Sequence, residues 1–323
     1  WGDPADEALK LRRGLVGLAA DHYGEQRATV LAGTARPTVA ACDVLPALRG
    51  AMGSEPRLVM TVRDDPWILA ALDHQDLASI MCTMPLTPDH SIRTKGLPMV
   101  LQPGDDVEET LARYREDYAT YYRDGCAAKG ERIALDANPR VVLVPGLGLV
   151  TCGTTVKAAG VVGDIAEHTL LTKIASAHLG AYEALTPLEL FDMEYWPLEQ
   201  AKLAGKTPRE LEGQVAIITG GGGAIGEGVA KVLKDAGAEI ALLDIDTALV
   251  EAAAARLGDG VLGVTADVTN EASMAEAMEV ICRRFGGLDI LVPNAGIAHV
   301  ASLDELDVDD LRRAIEVNQV GVF

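Results

Sequence analysis

The chain has 323 residues, enough for two domains that each bury a core. Its 48 acidic residues against 28 basic leave a net charge of −20, which argues against nucleic acid or an anionic membrane as the main partner because the long-range field repels both. Five cysteines with no CxxC pair argue against a disulfide framework or a zinc ribbon and suit a reducing compartment, so a cytoplasmic location is expected.

Along the chain, "WGDPADEALKLRRG" carries no basic-then-apolar leader pattern, and no apolar run reaches membrane-spanning length. "RLVMTV" (57–62) and "RVVLVPG" (140–146) read as strands, and Val107 to Arg123 and Val156 to Tyr182 as helices. The apolar residues of the second helix exceed one stripe, the mark of a helix packed on several sides. Between them, "MPLTPDHSIRTKGLP" (84–98) reads as a long ordered loop. Its His90, Arg93 and Lys95 either clamp a phosphate or carboxylate or pin the loop to the domain, and pinning is the preferred reading. The polar segment 201–214, with Pro208, marks a boundary, so residues 1–206 form a first α/β unit and 207–323 a second. There strands and helices alternate: Val215 to Thr219, a helix from Ala224 to Ala236, Ile240 to Leu243, a helix from Leu249 to Leu257, Val261 to Thr265, a helix from Ser273 to Phe285, and Ile290 to Val292. Short connections between alternating elements predict a parallel, doubly wound sheet.

The stretch "VAIITGGGGAIGEGVAKVL" (215–233) runs from a strand through four glycines into a helix. Such a turn lets backbone amides approach a diphosphate, and the positive end of the helix dipole adds to the attraction. The next strand ends at Asp244, with Ile245 and Asp246 behind it, at the interval where a dinucleotide fold places the carboxylate that binds the adenosine ribose. No Lys or Arg lies in "GGGGAIGEG" or "LLDIDT" to attract a 2′-phosphate, so NAD is expected rather than NADP. The six histidines form no HxH or HExxH pair, and no metal site is assigned.

Thr219-Gly220-Gly221-Gly222-Gly223-Ala224-Ile225-Gly226 resembles the TGxxxGxG turn of the short-chain dehydrogenase/reductase family. "ADV" (266–268), "NAG" (294–296) and "VNQVG" (317–321) follow in that family's order. The resemblance implies an incomplete Rossmann domain. It places Thr219, Gly220, Gly222, Gly223, Ala224, Ile225 and Gly226 at the cofactor turn, with Gly220, Ile225 and Gly226 lining the diphosphate. Asp244 and Ile245 lie at the adenosine ribose, Asp267 and Val268 at the adenine, and Asn294, Ala295 and Gly296 on the cofactor's far side. Asn318 matches the asparagine that supports a proton-relay water. Ala224 stands where a glycine is usual, and Pro293 replaces the first residue of NNAG, which weakens the expectation of a standard fourth strand.

The family's catalytic serine, tyrosine and lysine follow the asparagine motif. Here seven tyrosines all precede the glycine turn, and none has a lysine four residues on. A chain starting at Trp1 and halting at "VNQVGVF" is therefore expected to be an inactive fragment of a longer enzyme, homo-oligomeric when complete and acting on a small-molecule substrate.

"FDMEYWPLEQAKL" (191–203), "TPDHSIRTK" (87–95) and "NPRVVLVPGLGLVTCG" (138–153) resemble bifunctional proteins in which a class II aldolase of the rhamnulose-1-phosphate type precedes a short-chain dehydrogenase. The resemblance implies a dehydrogenase for a small sugar-derived alcohol or aldehyde. Class II aldolases hold a metal in HxH and HG segments; here Thr61, Arg63 and Leu147 occupy the matching positions, so residues 50–200 are expected to be a metal-free copy of the aldolase fold. The alternatives are a non-catalytic NAD-binding module, or lyase activity in the first unit.

Overall fold

In the computed structural model, the described residues are 5–177, 179–180, 182–198, 208–302, 304–305 and 307–322. Residues 201–207 of the expected boundary segment, and His178, lie outside them. The first unit contains α1 (Ala5–Leu31), α2 (Ala41–Met52), β1 (Val59–Arg63), α3 (Pro66–Leu72), α4 (Leu77–Met81), α5 (Ser91–Thr94), β2 (Met99–Val100), α6 (Val107–Lys129), β3 (Val141–Val144), β4 (Gly148–Gly153), α7 (Val156–Ala177) and α8 (Pro187–Glu194). The second holds β5 (Val215–Thr219), α9 (Ala224–Asp235), β6 (Glu239–Asp244), α10 (Thr247–Leu257), β7 (Leu262–Thr265), α11 (Glu271–Phe285), β8 (Ile290–Val292) and α12 (Val308–Asn318).

The second unit's sheet is parallel in the order β7-β6-β5-β8. β5 is buried along its whole length, which is why it reads as an unbroken apolar run rather than an alternation. Ala216 and Ile218 face Ala230, Val250 and Ala253 of α9 and α10. Val215 and Ile217 face Ala277, Ile281 and Phe285 of α11. β8 pairs with β5 in full register, Ala216 with Ile290 through Ile218 with Val292. The expected weakness at Pro293 is thus corrected: the proline follows the strand's last residue, where no ladder amide is needed.

The first unit's sheet is mixed, in the order β1-β4-β3-β2, with only the β2–β3 pair parallel. The segments holding Thr61 and Arg63 (60–66) and Leu147 (147–153) are neighbours there: β1 pairs with β4, Thr61 opposite Thr151 and Arg63 opposite Leu149. Thr61 and Thr151 share a 3.0 Å hydroxyl contact, Leu147 is fully buried, and Arg63 crosses Gly163 to pair with Asp164 and Glu167. Packing and ion pairs therefore occupy the ground where the aldolase resemblance looks for metal ligands. The long loop is partly helical, carrying a 3-10 turn at Pro88–His90 followed by α5.

The two units share a core. Val59 and Val156 of the first pack onto the α11 face of the second sheet, and Cys282 of α11 enters the first unit's cluster around Leu45, Leu48 and Met60. The α2 N-terminus has Ala40 as N-cap and no side-chain cap of its own. Its orphan amides go instead to Glu279 of α11, from Ala41 at 2.8 Å and Cys42 at 3.0 Å. Burial would raise the Glu279 carboxyl, but those two amides and Arg283 outweigh it and hold it below the usual range. Arg49 ties three segments together, donating to Leu58 O (2.7 Å), Gly213 O (2.8 Å) and Asp289 (2.6 Å).

Candidate functional site

β5 ends at Thr219 on the carboxyl edge of the parallel sheet, and the chain turns through Gly220 at φ +63° into α9. A Cβ on Gly220 would sit 2.9 Å from Ala295 Cα, and one on Gly226 would sit 2.5 Å from Gly220 O, so both glycines permit close backbone packing. The first helical bond of α9 runs from Glu227 N to Gly223 O at 2.9 Å, and Gly223 offers no side-chain cap. The amides of Ala224, Ile225 and Gly226 therefore precede the helix's own bonding, and Gly223, Ala224 and Ile225 are exposed. An uncapped helix start with its dipole facing the sheet edge is a cradle for a diphosphate.

The amide of Gly222 is not free for that task. It donates to Asp244 Oδ2 at 3.0 Å, while Asp244 Oδ1 accepts from Asp246 N at 3.1 Å. The carboxylate is thus fixed beside the turn and keeps acceptor capacity for hydroxyl donors. The Asn294 side chain is likewise committed: its Nδ2 donates to Thr219 O (2.9 Å) and Gly220 O (3.1 Å). Thr219 Oγ1 accepts from the amides of Asn294 and Ala295, both at 3.0 Å. Asn294 and Thr219 therefore set the turn's shape against the end of β8. Asn318 brackets Ile297, accepting from its amide at 2.8 Å and donating to its carbonyl at 2.9 Å. α12 ends at Asn318, and a 3-10 turn at Val320–Val322 brings Gly321 against Val268.

A cleft of about 300 Å³ opens between Ile245, Asp267, Thr269 and the α12 residues Arg312, Arg313, Glu316 and Val317. Hydrogen bonds from the Thr269 hydroxyl and amide hold the Asp267 carboxyl below its usual range. The GGGGAIGEG and LLDIDT segments hold no basic residue, as read from the sequence, but α12 brings two arginines to the cleft beside Ile245 and Asp267. They stand nearly 70 positions beyond Asp244, beyond the reach of motif spacing, and only the packing of α12 reveals them. Arg312 is paired with Asp309 at 2.9 Å.

In the first unit the TPDHSIRTK loop turns inward. Lys95, at φ +61°, is 5% exposed, donates to Asp136 O and lies 3.8 Å from the Tyr118 ring centroid. Burial lowers its pKa to about 8. For Lys95 these are the contacts of a side chain that pins the loop to the domain. Lys173, 2% exposed, is held by Thr83 O (2.7 Å), Thr83 Oγ1 (2.8 Å) and Met81 O, and burial lowers it to about 8 against the opposing field of Cys82. The unfolded chain keeps that proton up to the ordinary lysine range, so stability gains with pH from about 8 upward, at up to about 1.4 kcal/mol per unit. The stability of the wild type relative to Lys173→Met is accordingly expected to climb between pH 8 and 9.5 in urea melts. A flat difference contradicts the lowered pKa of Lys173. Among the described residues no group of three or more His, Cys, Asp or Glu is placed to hold a metal ion.

Residues 39–203 match the family described as Aldolase class II, second domain, and residues 214–323 match short chain dehydrogenase. The chain belongs to the class II aldolase second-domain family, followed by a short-chain dehydrogenase segment. It is similar to an uncharacterized oxidoreductase of Bacillus subtilis (strain 168), YuxG, at 26% identity over 87% of this chain and 43% of that protein. It is also similar to a D-threitol dehydrogenase of Mycolicibacterium smegmatis, at 36% identity over 35% of this chain and 45% of the relative. A 3-ketoacyl-(acyl-carrier-protein) reductase from Brucella melitensis, solved with NADH, aligns at 41% identity over 35% of this chain and 47% of that one, with a TM-score of 0.34. The chain spans less than half the length of these curated relatives. No helix among the described residues is long and apolar enough to cross a membrane.

Proposed function

We propose that this aldolase-family chain carries the nucleotide-binding half of an NAD-dependent dehydrogenase acting on a small sugar-derived alcohol or the matching aldehyde. The observation that carries the reading is the uncapped start of α9 beside Asp244. The amides of Ala224, Ile225 and Gly226 bind the diphosphate, and Asp244 accepts the adenosine ribose hydroxyls and repels a 2′-phosphate. The bound dinucleotide supplies the redox chemistry. Asn318 positions the Ile297 backbone at the nicotinamide end. The D-threitol dehydrogenase relative supports a polyol-derived substrate, and the complete protein is proposed to be a cytoplasmic homo-oligomer. Among the described residues no tyrosine lies in the second unit: Tyr118, Tyr122 and Tyr195 cluster around Phe191 in the first. Proton transfer to the substrate is therefore assigned to groups other than these.

Fluorescence titration with NADH and NADPH tests the reading. NADH is expected to bind at least tenfold tighter, and Asp244→Ala to erase most of that preference. Equal affinities for the wild type, or a preference for NADPH drawn to Arg312 and Arg313, would defeat the role given to Asp244.

A further inference from the structure

The largest cavity described in the first unit, about 690 Å³, lies between α6, the start of α8 and the loop 82–98. That volume is in the range of small-molecule sites. Its wall is mostly apolar, from Met84, Leu97, Pro98, Pro187, Leu188 and Leu190, and α6 adds Tyr114, Tyr118 and Tyr121. The Tyr114 hydroxyl is spent on Leu97 O at 3.0 Å and that of Tyr118 on Glu194 at 2.8 Å. What these two side chains offer the cavity is aromatic surface.

The charged residues on the wall are Asp117 and Asp124, seven apart on α6 and so on one helix face. Both are exposed, and among the described residues no side-chain hydrogen bond or ion pair engages either, whereas Glu109 and Glu116 on the same helix pair with Arg113 and Arg123. Among the described residues no Lys, Arg or His lines the cavity. The nearby cation, Lys95, is off the wall and bound to Asp136. A sugar phosphate entering here meets two carboxylates and, among the described residues of the wall, no counter-charge. A cation meets those carboxylates, the rings of Tyr114 and Tyr121, since Tyr118 already carries Lys95 at 3.8 Å, and the field of a chain with net charge −20.

We propose that this cavity binds an organic cation, an ammonium group carried on an aromatic or alicyclic body, with the body on the tyrosine and leucine wall and the charge between Asp117 and Asp124. The site is independent of the dinucleotide cradle. Calorimetric titration of the purified chain with three probes of one body tests it: 2-phenylethyltrimethylammonium, neutral 4-phenylbutanol and anionic 4-phenylbutyrate. The ammonium is expected to bind at least tenfold tighter than the alcohol, and the butyrate weakest. Asp117→Asn with Asp124→Asn, both exposed, is expected to bring the ammonium down to the alcohol's level. Leu188→Trp, which fills the cavity, is expected to remove binding of all three while circular dichroism stays unchanged. Equal binding or no binding of the three probes, or an ammonium preference that survives either variant, overturns the proposal.

Discussion

Gly226→Val is expected to weaken NADH binding by at least roughly 100-fold, or about 2.7 kcal/mol. A Cβ at 226 meets Gly220 O at 2.5 Å and Gly221 Cα at 2.9 Å, both backbone atoms of the turn. Neither yields by a side-chain rotation, so the turn itself must move, and with it the amides of Ala224 and Ile225 to which the diphosphate is assigned in the proposed function. The control is Gly228→Ala on the same helix, where an added Cβ meets nothing within 4 Å. That change is expected to leave NADH affinity intact and to raise stability by about 0.5–1 kcal/mol, because alanine loses less backbone entropy in a helix. Fluorescence titration of the two variants side by side checks both. Unchanged affinity for Gly226→Val would place the dinucleotide elsewhere.

Gly286→Val is expected to destabilise the whole chain by about 2–4 kcal/mol and to lower the unfolding midpoints of both units together. Gly286 closes α11 in the left-handed region at φ +83°, its amide bonded to Cys282 O at 2.8 Å. A β-branched residue is strained there whatever the space. The space is also missing, since the Cβ meets Met60 Cβ of β1 at 2.8 Å. The clash lies in the core that the units share, so the damage reaches both. Differential scanning calorimetry distinguishes the outcomes: a shift confined to one transition would show that the units unfold independently.

The elements of the second unit were legible in the sequence because local chemistry wrote them. A parallel strand covered on both faces is an unbroken apolar run, and the turn after it requires glycines for backbone approach; observed boundaries from Val215 to Val292 fall within a few residues of the expected ones. The sequence also placed Asp244 beside the turn, since one strand–helix–strand unit sets their separation. The first unit was harder to read. α2 carries no capping side chain of its own, and β4, besides its hairpin partner β3, pairs with β1 about 90 residues earlier in the chain.

By itself, then, the chain's order of residues determined the doubly wound sheet, the glycine turn and the carboxylate beyond it, because each rests on contacts among near neighbours. Only the tertiary structure decided that Gly222 spends its amide on Asp244, that Arg312 and Arg313 line the cleft beside Ile245 and Asp267, and that Glu279 caps a helix more than 230 residues upstream. It also turned Lys95 inward against Tyr118 and, among the described residues, left Asp117 and Asp124 unpaired beside a tyrosine-walled cavity. Those outcomes depend on which surfaces meet after the elements form, and residue spacing carries no record of such meetings.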